Sequence, residues 1–221
     1  MKFDFDLAVN SFPVLLVGAL VTIKITAISV ALGVVIGLVV GVARISQVKP
    51  LRLLAMAYID FLRGTPLLVQ IFLIYFALPV ISGQRVDPFF AAITACSINS
   101  GAYVAEIFRS GIQSIDKGQM EAGRSLGMTW LQTMWHIILP QAVKRVIPQI
   151  GNEFIALLKD SSLVSVIGFE ELTRSGQLII ARTYGSLEIW PCVAIIYLVM
   201  TLSISQLVAH LERRFRTDDK H

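Results

Sequence analysis

Two carboxylates, Glu153 and Asp160, stand in an apolar stretch that runs from Ala142 to about Gly168. Seven positions apart on a helix, they share one face two turns apart, roughly 10 Å by the helical rise. Small Ala156 lies between them, and Asn152, Lys159, Ser161 and Ser162 sit alongside. Acids at membrane depth are costly to keep ionised, so they mark binding sites or conduction paths. The natural complement to such a pair is a cation, held by charge-assisted, bidentate pairing of a guanidinium or ammonium group. The internal alternative is that Lys159 neutralises Asp160 while Glu153 pairs elsewhere. Adjacent helical residues point roughly 100° apart, however, which places Lys159 poorly for cancelling the acidic face. The chemistry is recognition rather than reaction. No GxxxxGK(S/T) phosphate loop, HExxH, paired-cysteine or GxSxG motif occurs, and His136, His210 and His221 are scattered.

A second group of candidates lies in Tyr58–Gln70, YIDFLRGTPLLVQ. Asp60 and Arg63 have the i,i+3 spacing of a helical ion pair. Gly64 and Pro66 then interrupt an otherwise apolar helix, which is tolerable in a membrane only inside protein or beside a water-filled cavity. The backbone at Gly64 and Thr65 thus becomes a candidate donor for a substrate carboxylate, as do Asn99 and the hydroxyls of Ser161 and Ser162. Asn99 and Gly101, in INSGAY, offer an amide beside bare backbone, and Asn99 serves equally well as an interhelical hydrogen bond. Glu106 and Arg109 form a structural pair by spacing.

These residues need long apolar elements to hold them, and the composition supplies them. Of 221 residues 55% are hydrophobic and only 15% charged, too few for a soluble domain. A hydrocarbon core about 30 Å thick takes about 20 helical residues. Five spans are expected: Gly18–Ala43, Leu53 to about Pro79, Phe89–Phe108, Ala142 to about Gly168, and Glu188–His210. Gly33, Gly37 and Gly41 put small residues on one face of the first span, as close helix packing requires.

The net charge of +4 sits in three segments: Arg44, Lys49 and Arg52; Arg109, Lys117, Arg124, Lys144 and Arg145; and Arg213, Arg214, Arg216 and Lys220. By the positive-inside rule these are cytoplasmic and the N-terminus is outside, where only Lys2, Arg85, Arg174 and Arg182 fall. Nucleic acid is not indicated by this distribution. The basic end of the chain fits anchoring at anionic lipid. Cys96 and Cys192 lie within spans as small packed side chains. The acidic start, MKFDFD, is unlike a signal peptide, so the first span is read as retained. Phe169–Leu187 is an outer segment, with a short helix expected through Glu171–Ala181.

Between the third and fourth spans lies a polar, helix-prone stretch, Glu121–Pro140, EAGRSLGMTWLQTMWHIILP, preceded by a turn at Asp116, Lys117 and Gly118. Glu121 and Ala122 are expected to open a helix, Gly127 to let the chain turn or another backbone approach, and Pro140 to stop the helix running into the next span. This spacing resembles the cytoplasmic EAA loop of ATP-binding-cassette importer permeases. Gly123 departs from it, since the family usually has Ala there, at a cost of up to about 1 kcal/mol of local helicity. RGTPLLVQ resembles the signature of the polar amino-acid uptake branch of that family, the histidine, arginine and glutamine type.

The resemblance implies the all-α type I ABC importer permease fold: five transmembrane helices with a coupling helix, N-terminus outside, C-terminus cytoplasmic. It implies one permease domain, 1–221, with its coupling loop at about 109–141, in a bacterial cytoplasmic membrane. Glu121, Ala122, Gly127, Met128, Leu139 and Pro140 would couple it to two ATPase subunits. The chain itself needs no cofactor, ATP and Mg being bound by the ATPase. A second permease copy, identical or closely homologous, and an extracytoplasmic solute-binding protein complete the assembly. From the two acids, rather than from the family, comes the expectation of a basic substrate, arginine first, then lysine or histidine. Glutamine or another neutral amino acid is the alternative. A non-transporting sensing or assembly subunit is a further reading, as is an ion-coupled carrier using Glu153 and Asp160 as a proton relay. An odd span count without an inverted repeat disfavours the carrier.

Overall fold

The structure, a computed structural model, describes residues 3–215, and of Phe215 the backbone alone. Lys2, Arg216, Lys220 and His221, used above in the charge and histidine readings, lie outside the described residues. Among the described residues every regular element is helical.

The first helix, α1 (Phe5–Ile45), starts at Asp4, whose carboxylate accepts from the Leu7 N–H at 3.0 Å. At 41 residues it is about 60 Å long, twice the hydrocarbon thickness. The expected span, Gly18–Ala43, and the residues before it are thus one helix, running through Pro13. Helix α2 (Lys49–Gly64) follows, then a break at Thr65–Pro66 and a second half, α3 (Leu67–Phe72), which continues through a π-helical turn (Leu73–Ala77) into α4 (Leu78–Ser82). The two halves meet at 107°. The interruption expected at Gly64 and Pro66 is therefore a sharp corner, not a kink.

Helix α5 (Pro88–Gln113) is capped by Asp87 and packs along α1. The glycine stripe explains how. A Cβ on Gly33 would lie 2.8 Å from the Ser100 side chain, and one on Gly37 would lie 2.6 Å from Val104 Cγ1 and 2.9 Å from the Ala105 nitrogen. Only glycine lets the two backbones come so close. In lipid, where tails are as apolar as leucine, such packing rather than water exclusion holds helices together.

The polar stretch forms α6 (Lys117–Ser125) and α7 (Trp130–Thr133). The latter runs through a second π-helical turn (Met134–Ile138) into α8 (Leu139–Asp160), a 3₁₀ turn (Ser161–Ile167) and left-handed Gly168. Helix α9 (Leu172–Thr183) and the long α10 (Ser186–Phe215) complete the chain. Among the described residues, α1 and α10 are long and apolar enough to cross a membrane, and the bent pair adds a third candidate. Helix α5 packs against α1 and α8, and α8 against α5 and α10, while Lys144, Arg145, Asn152 and Lys159 of α8 are exposed.

Pro140 does not end a helix, contrary to the sequence expectation. A proline ring collides with the carbonyl four residues back. Here the preceding turn widens to π geometry, with the Leu139 N–H donating to Met134 O, and the helix passes through. The same device precedes Pro79, where the Leu78 N–H donates to Leu73 O.

Candidate functional site

At the α2–α3 corner the freed backbone groups are claimed by Gln70, which the sequence reading quoted but gave no role. Its Nε2 donates to Leu62 O at 2.9 Å, Thr65 O at 3.1 Å and Thr65 Oγ1 at 3.0 Å, while Thr65 Oγ1 donates to Phe61 O at 2.8 Å. Asn99, 6% exposed, donates from Nδ2 to Gln70 Oε1 at 2.9 Å. Of the two readings left open for Asn99, the interhelical hydrogen bond is the one formed. Tyr58 reinforces the junction by donating to Ile98 O at 2.6 Å. Gly101 is a packing position: a Cβ there would lie 2.6 Å from Ile36 Cγ2 and 3.0 Å from the Tyr58 hydroxyl. Gly64 is exposed, with open space where a Cβ would point.

Glu153 is half-buried and directed at Ser100 of α5. It lines a shallow groove of about 350 Å³ with Ile107, Gln149, Asn152 and Ala156. Asp160 ends α8, exposed, within electrostatic reach of Glu153, of Cys96 on α5 and of Lys159. Lys159 forms no ion pair with it, and among the described residues neither acid has an ion-pair partner. Ser161 is buried, its hydroxyl donating to Leu158 O at 2.8 Å, and Ser162 is half-buried. A roomier cavity, about 630 Å³, lies between the ends of α1 and α5 and the start of α8. Its lining is apolar apart from Arg109, so it offers little with which to recognise a zwitterion.

The expected Glu106–Arg109 pair is present but belongs to a larger cluster. Glu106 accepts from Arg44 of α1 and from Arg109, and Arg63 of α2 stands 3.9 Å away. The Asp60–Arg63 pair is not formed: Arg63 turns to Glu106 and to the Tyr103 ring, and Asp60 is exposed. Glu171, to which the sequence reading gave no role beyond opening a short helix, is 0% exposed at the start of α9. It accepts from the N–H groups of Thr173 and Arg174 at 2.9 and 2.8 Å, from the Tyr197 hydroxyl at 2.9 Å and from Thr22 at 3.4 Å. This node fastens α9 to α1 and α10. An acid ahead of a helix was its only sequence signal.

In the polar stretch before α8, Asp116 caps α6 by accepting from the Gly118 N–H at 2.6 Å, so the helix opens at Lys117 and Glu121 lies within it. The supposed turn is the first helical turn, because an Asp at the N-cap satisfies an otherwise unpaired N–H. Gly127, at φ +83°, is the turn after α6, and Arg124 donates to Met128 O at 2.9 Å. Gly123 is explained by space: a Cβ there would lie 2.6 Å from Thr133 Cγ2. Glu121, Ala122 and Gly127 are exposed and Leu126 is 82% exposed. Met128 and Leu139 are half-buried, and Pro140 is exposed.

Residues 33–217 match the family described as "Binding-protein-dependent transport system inner membrane component". The glutamine transport system permease protein GlnP of Escherichia coli K12 is 45% identical over 217 residues, 98% of this chain and 99% of GlnP. The arginine transport system permease protein ArtQ of Bacillus subtilis 168 is 39% identical over 219 residues, 99% of this chain and 100% of ArtQ. A crystal structure of an amino acid ABC transporter with histidines superposes with a TM-score of 0.94 at 47% identity, covering 97% of this chain and 100% of that one.

Proposed function

The chain belongs to the family of binding-protein-dependent transport system inner membrane components, the permeases of ATP-binding-cassette importers, and we propose that it carries a polar, basic amino acid into the cell, arginine first, then lysine or histidine. The observation that supports a basic side chain is the acidic wall of α8, where Glu153 and Asp160 face α5 without an ion-pair partner among the described residues. A cationic substrate supplies the missing charge. Glutamine is the second reading, favoured by the 45% identity to a glutamine permease and by the amides of Gln149 and Asn152 in the groove.

In the working assembly two copies of the chain form the path, a solute-binding protein delivers the amino acid from outside, and two ATPase subunits bind ATP and Mg. Their closure moves the exposed α6 and Gly127 turn. The continuous helical run from α7 into α8 carries that movement to the acids. The Glu106 cluster ties α1, α2 and α5 into the same frame.

Uptake into proteoliposomes containing permease, ATPase and binding protein tests the substrate. Asp160→Asn is expected to cut arginine uptake roughly tenfold, the equivalent of about 1.4 kcal/mol, while sparing glutamine. Unchanged arginine uptake would sink the basic assignment, and substrate-stimulated ATP hydrolysis without accumulation would identify a sensing subunit instead.

A further inference from the structure

We infer that Arg63 receives the α-carboxylate of the transported amino acid. This rests on the amino-acid reading above and extends it to the half of the substrate that Glu153 and Asp160 cannot hold. A carboxylate needs N–H or O–H donors, and several obvious ones are spent. One of the two Asn99 Nδ2 hydrogens goes to Gln70 Oε1, Thr65 Oγ1 donates to Phe61 O, and Ser161 Oγ donates to Leu158 O.

Arg63 is different. Three arginines surround Glu106, but Arg44 and Arg109 take its two oxygens. Arg63 stands off at 3.9 Å, beyond hydrogen-bond distance, and donates no hydrogen bond to a described residue. Its side chain is 41% exposed, and its guanidinium carbon lies 5.3 Å from the centroid of the Tyr103 ring. The aromatic face orients the planar fork and leaves its N–H groups available for bidentate pairing.

Its position fits the acids. Ser100, Tyr103 and Ile107 fall on one stripe of α5, at i, i+3 and i+7. Glu153 is directed at Ser100 and shares the groove with Ile107, while Arg63 covers Tyr103 between them. The cation and the anion thus stand beside positions of α5 only three residues apart, about 4.5 Å along the helix axis. An extended basic amino acid bridges such a pair, with its carboxylate on Arg63 and its cationic end on Glu153 and Asp160.

The test is competition binding to the purified permease–ATPase complex in lipid nanodiscs, using arginine against argininamide and glutamine against glutaminamide. Each pair differs only in the α-carboxylate. Wild type is expected to prefer the acid over its amide by roughly tenfold or more, about 1.4 kcal/mol. Arg63→Gln should erase that preference by weakening the acid while leaving the amide unchanged, and retained amide binding shows that the variant is folded. Arg63→Lys should keep part of the preference. An undiminished preference in Arg63→Gln overturns the inference. If that variant binds nothing, a wild-type preference in Arg63→Lys overturns it as well. Binding of glutamine but not arginine would revise the side-chain reading alone. Binding of neither amino acid to wild type would remove the amino-acid site itself.

Discussion

Gln70 ties the broken ends of α2 and α3 to α5. It serves two carbonyls and a hydroxyl at the α2–α3 corner and accepts from Asn99. Gln70→Ala leaves several buried polar atoms without partners, each worth about 1–3 kcal/mol. It should lower the unfolding temperature of the complex markedly and reduce substrate affinity in parallel, whereas exposed Asp60→Asn should change neither. Polar residues in apolar runs were legible in the sequence, which is how Glu153, Asp160 and Asn99 became candidates. Their partners were not. Whether Asn99 meets a substrate or a neighbouring helix depends on where a 107° corner brings Gln70, 29 residues away. Glu171 was named only as a helix start for the same reason, since its burial is set by Thr22 and Tyr197 from distant parts of the chain.

Among the elements, the α1–α5 seam makes the sharpest prediction. Gly37 has backbone 2.9 Å from a would-be Cβ, while at Gly41 nothing comes nearer than 3.6 Å. Gly37→Ala is therefore expected to cost about 1–3 kcal/mol through overpacking. Gly41→Ala should be neutral, or stabilising by up to about 1 kcal/mol from helix propensity. Thermal unfolding of the two variants separates them, and equal behaviour would contradict the packing account. The glycine spacing announced this seam. The coupling stretch was legible only in part: the motif register located it, but propensity made Gly123 look like a small defect. The Thr133 side chain makes it a necessity. Gly123→Ala, although it restores the usual family residue, should lower the stability of the α6–α7 unit. Pro140 misled for a related reason, because a π-helical turn that lets a helix pass a proline leaves no mark in the sequence.

For the whole molecule, the proposed function links the exposed α6 and Gly127 turn to the groove beside Glu153 through the helical run from α7 into α8. Leu126, 82% exposed beside the Gly127 turn, belongs to that surface and not to the packed core. Leu126→Asp should leave substrate binding intact while uncoupling ATP hydrolysis from uptake, measured together in proteoliposomes. The central claim is that selectivity for a cationic amino acid resides in this chain. Its most direct test is arginine binding to the purified permease–ATPase complex with the solute-binding protein left out. The account predicts saturable binding, competed by lysine and histidine more strongly than by glutamine, and lost in Glu153→Gln or Asp160→Asn. A folded complex that binds no arginine, or binds it unchanged in both variants, would contradict it.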